Sequence, residues 1–137
     1  MMDIDALKLN IEKGSLLGYE VGQQVPTEAH SQNITNFDYG YAVYVLGSVI
    51  SAIFICFMTD YEGFKSYKGS ICFSGKEFHL EQNTSFDEVA SIFGEPVEEW
   101  NDGVERCAEF LVNGRTVGFI WCVDGKLALK HLSIEIA

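Results

Sequence analysis

Between Asp38 and Asp60 the chain carries no charged residue. That run, Gly40-Tyr-Ala-Val-Tyr-Val-Leu-Gly-Ser-Val-Ile-Ser-Ala-Ile-Phe-Ile-Cys-Phe-Met58, leaves two solutions, a membrane helix or buried sheet. A bilayer helix needs about 20 mostly apolar residues, so the length alone would allow one. The residue types decide otherwise. Val43, Tyr44, Val45, Val49, Ile50, Ile53, Phe54 and Ile55 are β-branched or aromatic and suit a pleated surface. Leu46-Gly47-Ser48 interrupts the run with a turn signal. No Lys or Arg stands at either end to orient a span. Residues 38–58 therefore read as a buried β-hairpin.

The run has an echo. Laid on Gly118–Ile136, it matches Gly40 to Gly118, Tyr41 to Phe119, Val45 to Val123, Gly47 to Gly125 and Val49 to Leu127. The second copy holds Lys130, His131 and Glu135, which no membrane span would choose, and its Asp124-Gly125 is a two-residue hairpin signal. Upstream, Leu17-Gly18-Tyr-Glu-Val is echoed by Phe93-Gly94-Glu-Pro-Val. An internal pseudo-repeat is the resulting expectation.

The other elements follow from local patterning. Leu7, Leu9 and Ile11 alternate with polar residues as in a half-buried strand, while Ile4, Leu7 and Ile11 also fit one helical face. Residues 22–36 are polar and read as a loop. Short strands are expected at Ser70–Phe73 and Glu77–Leu80, around Ser74-Gly75-Lys76. Ser85-Phe-Asp-Glu88 is a capping box that opens a helix over 86–93. Its buried stripe is Phe86, Val89, Ala90 and Phe93, and Gly94 and Pro96 stop it. Strands at about Glu105–Val112, Thr116–Val123 and Lys126–Ile136 complete the chain, turning at Asn113-Gly114 and Asp124-Gly125. These pieces make one α+β domain, 1–137: mostly antiparallel sheet, hairpins and a C-terminal meander, with one main helix packed on it. No linker or low-complexity segment divides it, and 137 residues are enough to bury a core without staples.

Composition narrows the function. Nine Lys and Arg stand against 20 Asp and Glu, a net charge of −11. Such a surface repels phosphate backbones and disfavours nucleic acid, but it accelerates encounter with a basic protein. Cys56, Cys72, Cys107 and Cys122 lie far apart in apolar contexts without a Cys-x-x-Cys pair, so they read as reduced structural thiols and not zinc ligands. The start lacks a basic segment followed by an apolar one, so no secretory signal is read and the cytoplasm is expected.

Enzyme motifs fail on specific residues. Gly69-Ser-Ile-Cys-Phe-Ser-Gly75-Lys76-Glu77 resembles a phosphate loop, but its glycines are too far apart and glutamate replaces the magnesium-binding hydroxyl. No nucleophile elbow or zinc-protease helix occurs, and His30, His79 and His131 are isolated. No catalytic residue, cofactor or metal is expected. The densest polar feature is Glu95-Pro-Val-Glu-Glu-Trp-Asn-Asp-Gly-Val-Glu105. As a solvated strand edge its acids would only discourage aggregation. As a docking patch, Trp100 would anchor while Glu95, Glu98, Glu99, Asp102 and Glu105 meet a basic partner. Tyr61, Phe64 and Tyr67 would extend that surface or cover the sheet.

Three segments together carry a resemblance. They are Gly14-Ser-Leu-Leu-Gly-Tyr-Glu-Val-Gly-Gln23, Thr84-Ser-Phe-Asp-Glu-Val-Ala-Ser-Ile-Phe-Gly-Glu-Pro96, and the final Leu132-Ser-Ile-Glu-Ile136. The pattern resembles small cytosolic immunity proteins that accompany bacterial polymorphic toxins, including contact-dependent and type VI secretion systems. One departure is that residues 22–36 do not read as the helix expected after the first Leu-Gly. The resemblance implies a non-enzymatic antitoxin that binds and neutralises a cognate toxin domain, needing neither membrane nor nucleic acid. It sets no oligomeric state. The alternative is a small regulatory or ligand-binding domain with a pocket between helix and sheet.

Overall fold

The computed structural model describes residues 4–25, 32–59, 61–125 and 127–137. The first half of the chain supplies a 3-10 turn at Ile4–Ala6, then β1 (Lys8–Asn10), β2 (Ser15–Leu16), β3 (Tyr19–Glu20), β4 (Ile34–Asn36), β5 (Tyr41–Leu46) and β6 (Val49–Cys56). The second half supplies β7 (Ser70–Phe73), β8 (Lys76–Phe78), α1 (Phe86–Phe93), β9 (Glu98–Asn101), β10 (Glu105–Val112), β11 (Arg115–Cys122) and β12 (Ala128–Ile136). Two sheets result. The smaller runs β3-β2-β1-β7-β8, and the larger runs β4-β5-β6-β12-β11-β10-β9. Apart from the parallel β1–β7 pair, the strand pairings among the described residues are antiparallel.

The charge-free run is the β5–β6 hairpin, as its turn signal predicts. No helix among the described residues is long and apolar enough to cross a membrane. Gly40 opens the hairpin at φ +75°, and a side chain there would collide with the backbone at Lys65 and Tyr67. This close approach draws the connector of residues 61–69 over one face of the hairpin. The echo of this hairpin is β11–β12, and the two lie side by side through the β6–β12 pairing.

The inner face of the large sheet makes the core. Tyr41, Val43, Ile53, Ile55, Phe110, Val117, Phe119, Trp121, Leu132 and Ile134 are buried there with Leu7, Leu9, Ile11, Leu16 and Ile71 of the small sheet. Burying each large apolar side chain contributes about 1.5–3 kcal/mol. Leu7, Leu9 and Ile11 all bury their side chains as a strand alternation would, but the paired strand is only Lys8–Asn10, with Ile11 already in the turn and Ile4–Ala6 a 3-10 turn. α1 covers the same inner face. Phe86 meets Trp121 at 5.5 Å between ring centroids, and Phe93 meets Phe110 and Phe119 at 5.4 Å. The capping box forms as the sequence predicts: Ser85 Oγ accepts from the Glu88 amide, and the Glu88 carboxylate accepts from the Ser85 amide. Trp121 Nε1 donates to the Thr84 carbonyl at 2.9 Å, fixing the approach to the helix.

Several local expectations need correction. Part of the predicted loop 22–36 is strand: Ile34–Asn36 pairs with β5, held by Asn33 Oδ1 accepting from the Val45 amide. The 26–31 part of that loop, with His30, lies outside the described residues. Asp124-Gly125 is not a two-residue turn. The last β11–β12 pair is Cys122↔Ala128, which leaves a longer loop, and of Asp124 and Gly125 only Gly125 has positive φ. A fourth C-terminal strand, β9, occupies part of what reads as an acidic loop. It pairs on β10 at the end of the sheet.

Candidate functional site

The cysteines are free thiols, with Cys56 and Cys107 buried. Burial raises both of their pKa values, the opposite of an activated nucleophile. The segment resembling a phosphate loop is the β7–β8 hairpin, turning at Ser74 and Gly75, both at positive φ. Among the described residues no group of three His, Cys, Asp or Glu converges as metal ligands would. The space between α1 and the sheet is filled by Phe86, Phe93, Phe110, Phe119 and Trp121.

What the register assembles instead is the outer face of the large sheet. Strand side chains alternate, so residues opposite one another across successive strands share a face. Trp100 lies opposite Cys107, Cys107 opposite Ile120, Ile120 opposite His131, and His131 opposite Cys56. This apolar row runs inward from the sheet edge. The row beside it reads Glu98, Glu109, Gly118, Ser133 and Phe54. Beyond that come Leu111, Thr116, Glu135 and Ala52. The connector covers only the far end, where Phe64 and Tyr61 pack with Phe54, Ala42 and Cys56. At the β9–β10 end Trp100 is 42% exposed and Leu111 58% exposed.

The residues singled out by sequence divide between the two faces. Glu98 and Trp100 project to the outer face, together with Glu105. Glu99 alternates to the opposite face of the same edge strand, and Glu95 follows the end of α1. Asp102 serves the β9–β10 turn: its Oδ1 accepts from the Val104 and Glu105 amides at 2.9 and 2.8 Å. Those hydrogen bonds, that from Glu105 foremost, hold its carboxyl below the usual range. Glu105 is bound to Lys130, whose pKa that hydrogen bond raises. Lys130 also lies over the Tyr61 ring, 4.9 Å from its centroid.

Glu109 and Glu135 join Glu98 on the face, and sequence reasoning missed both. The ion pairs among the described residues are Lys65–Asp38, His79–Glu81, Arg115–Glu20 and Lys130–Glu105, so none of these three acids has a basic partner there. Glu98 and Glu109 stand directly opposite each other, an arrangement that like charges make unfavourable. Cys107, opposite Trp100 in the row beside them, lies within reach of both carboxylates. Burial first, and then Glu109, Glu98 and Glu105, push Cys107 up to about 11. The available signal was the period-two pattern of Glu105–Val112 read through the Asn113-Gly114 turn, which places Glu109 beside the acidic edge.

Clefts among the described residues lie elsewhere. One of about 510 Å³ is lined by Phe57, Tyr67, His79, Leu80 and Leu127 among others; another of about 650 Å³ includes Lys8, Lys68, Ser70 and Glu77. Comparison with protein-family models, curated proteins and solved structures finds no match.

Proposed function

We propose that this chain is a non-enzymatic immunity protein of the bacterial cytoplasm that binds and neutralises a cognate basic toxin domain. The carrying observation is the Glu98–Glu109 couple, without a basic partner among the described residues, facing across β9 and β10 next to an exposed Trp100. A fold that keeps two like charges opposed on an open face, beside an aromatic anchor, holds a repulsion that a basic partner would relieve. Net charge −11 extends the same attraction to long range and speeds encounter. The resemblance of the Gly14–Gln23 and Thr84–Pro96 segments to immunity proteins points the same way.

The test is binding to a toxin domain, if a neighbouring gene encodes one. Reversing Glu98 and Glu109 to lysine slows association, most at low salt, because attraction becomes repulsion. Trp100→Ala instead speeds dissociation, since an aromatic anchor acts after contact. Unchanged rates in both variants would move the interface off this face, and no binding by wild type would reject that toxin as partner. A ligand-binding domain is the second reading, supported by the cleft of about 510 Å³, a volume in the range of small-molecule sites. A small molecule that raises the melting temperature of the wild type but not of a Leu80→Trp variant would favour it.

A further inference from the structure

We infer that β9 is the acceptor for an extended basic strand of the partner, which adds to the large sheet by backbone pairing. This deepens the proposed function and rests on that reading for the partner's basic character. β9 is the last strand of its sheet, and all four of its residues are exposed. Its inward hydrogen bonds are set by register. The Asp102 amide donates to the Glu105 carbonyl at 3.1 Å, and those two residues continue the ladder in which Trp100 faces Cys107 and Glu98 faces Glu109. In an antiparallel ladder, bonded and non-bonded pairs alternate. The N–H and C=O groups of Glu99 and Asn101 therefore point away from β10, into the space where a further strand would lie.

The other sheet edges offer less. β3 has two residues, β4 and β8 have three each, and β8 begins with Lys76. Carboxylates alone would merely guard an edge against self-pairing. A large exposed tryptophan between them does the opposite, because it provides a contact that an incoming strand can cover. Adjacent residues of such a strand would meet Glu98 on one face and Glu99 on the other, so lysine or arginine at neighbouring positions complements both. An apolar residue of the incoming strand would lie against Trp100. Main-chain bonds would supply affinity and the alternate side chains selectivity, as in other strand-addition modes. A second copy of this chain would bring another net charge of −11 against this edge, which disfavours it as the occupant at neutral pH.

The experiment titrates the full chain with a short basic peptide, rich in lysine and valine, and follows amide exchange. Binding should slow exchange at the Glu99 and Asn101 amides. A version of the peptide N-methylated at alternate residues keeps every charge but cannot pair, and it should bind on the order of tenfold more weakly or worse. Glu99→Pro removes one outward N–H at an edge position where proline is accommodated, and it should weaken the unmodified peptide while leaving the fold intact. Equal binding by the N-methylated peptide, or no protection of the two amides, overturns the inference in favour of contact through side chains alone. Self-association through these amides would overturn it too. The toxin domain separates the two levels. Neutralisation by wild type without protection at Glu99 and Asn101 removes the strand-addition inference and leaves the immunity reading. Peptide addition at this edge without toxin binding does the reverse.

Discussion

The β5–β6 and β11–β12 hairpins are neighbours in one sheet and share a sequence pattern, yet they meet solvent differently. Both turn Val, Ile and aromatic residues inward to the same core. On the outer face they part. β5–β6 is covered: Phe64 packs 5.3 Å from Phe54 and 4.6 Å from Phe37, with Tyr61 and Met58 on the same cluster. β11–β12 carries Lys130, His131, Ser133 and Glu135 on or beside that face. The comparison explains why the covered end of one hairpin is free of charge. Where the connector buries a strand on both faces, no position is left at which a charge could be hydrated; nearer the turn Leu46 is 77% exposed, so cover does not account for the absence of charge there. The echo keeps the period of two because one of its faces stays open.

The aligned glycines show that the echo is one of shape and not of roles. Gly40 sits at φ +75° with the connector backbone against it, whereas Gly118 has extended backbone in mid-strand and an added Cβ would lie 3.4 Å from Ser133 Oγ. Gly40→Ala should therefore cost at least about 3 kcal/mol, from backbone strain plus collision, and should expose the β5–β6 outer face. Gly118→Ala should be neutral or stabilise by about 0.5 kcal/mol, since the site has room and alanine restricts the unfolded chain. Thermal melts of the two variants compare the hairpins directly, and equal losses would mean that the two glycines do the same work.

His131 stands at the boundary between the covered and open halves. Its ring lies 5.0 Å from Phe54 and 6.2 Å from Tyr61, and among the described residues its buried Nδ1 has no hydrogen-bond partner. Burial, then Lys130, lowers its pKa to about 4, with Glu105 opposing. An unfolded histidine takes its proton near 6.5. Between those values the unfolded state binds more protons, so stability rises with pH. The contribution is complete above about 6.5 and is lost as pH falls towards 4, amounting to about 3 kcal/mol at most. His131→Phe keeps the ring contacts and removes the proton. Denaturant melts on either side of the window should show a flatter pH dependence in the variant. An unchanged slope would place the acid sensitivity in the carboxylates instead.

How legible this was depended on whether a feature is local. The capping box at Ser85–Glu88 and the Asn113-Gly114 turn are written in adjacent residues, and both form where the sequence puts them. β9 is not legible in that way. Glu98-Glu99-Trp100-Asn101 is exposed on both faces, so it has no hydrophobic alternation, and only pairing with β10 makes it a strand. The candidate face was half visible. Glu98 and Trp100 stand out by composition, whereas Glu135 joins them through three successive strand pairings and a register shift at Ile120/Trp121. No local signal encodes that shift. The parallel pairing of Lys8–Asn10 with Ser70–Cys72 is hidden for the same reason, since it depends on the path of all the chain between them.

The smallest expected effect on stability has the sign that best separates an open working face from a merely solvated one. Glu98 faces Glu109 directly across β9 and β10, and Glu105 lies on the same side of β10 but is already held by Lys130. Glu98→Lys turns an opposed like pair into an opposed unlike pair. It should therefore stabilise the fold by a few tenths of a kcal/mol, with the gain shrinking as salt rises. The same change should weaken capture of a basic partner, because it removes attraction at the edge where Trp100 waits. Stability and binding then move in opposite directions, the trade expected where a surface is kept strained for recognition. Chemical denaturation at low and high salt, run beside association rates with the toxin domain, measures both quantities on one variant. If Glu98→Lys stabilises the chain and leaves association unchanged, the repulsion has no role in recognition. The β9–β10 end would then be no more functional than the covered hairpin on the other side of the sheet.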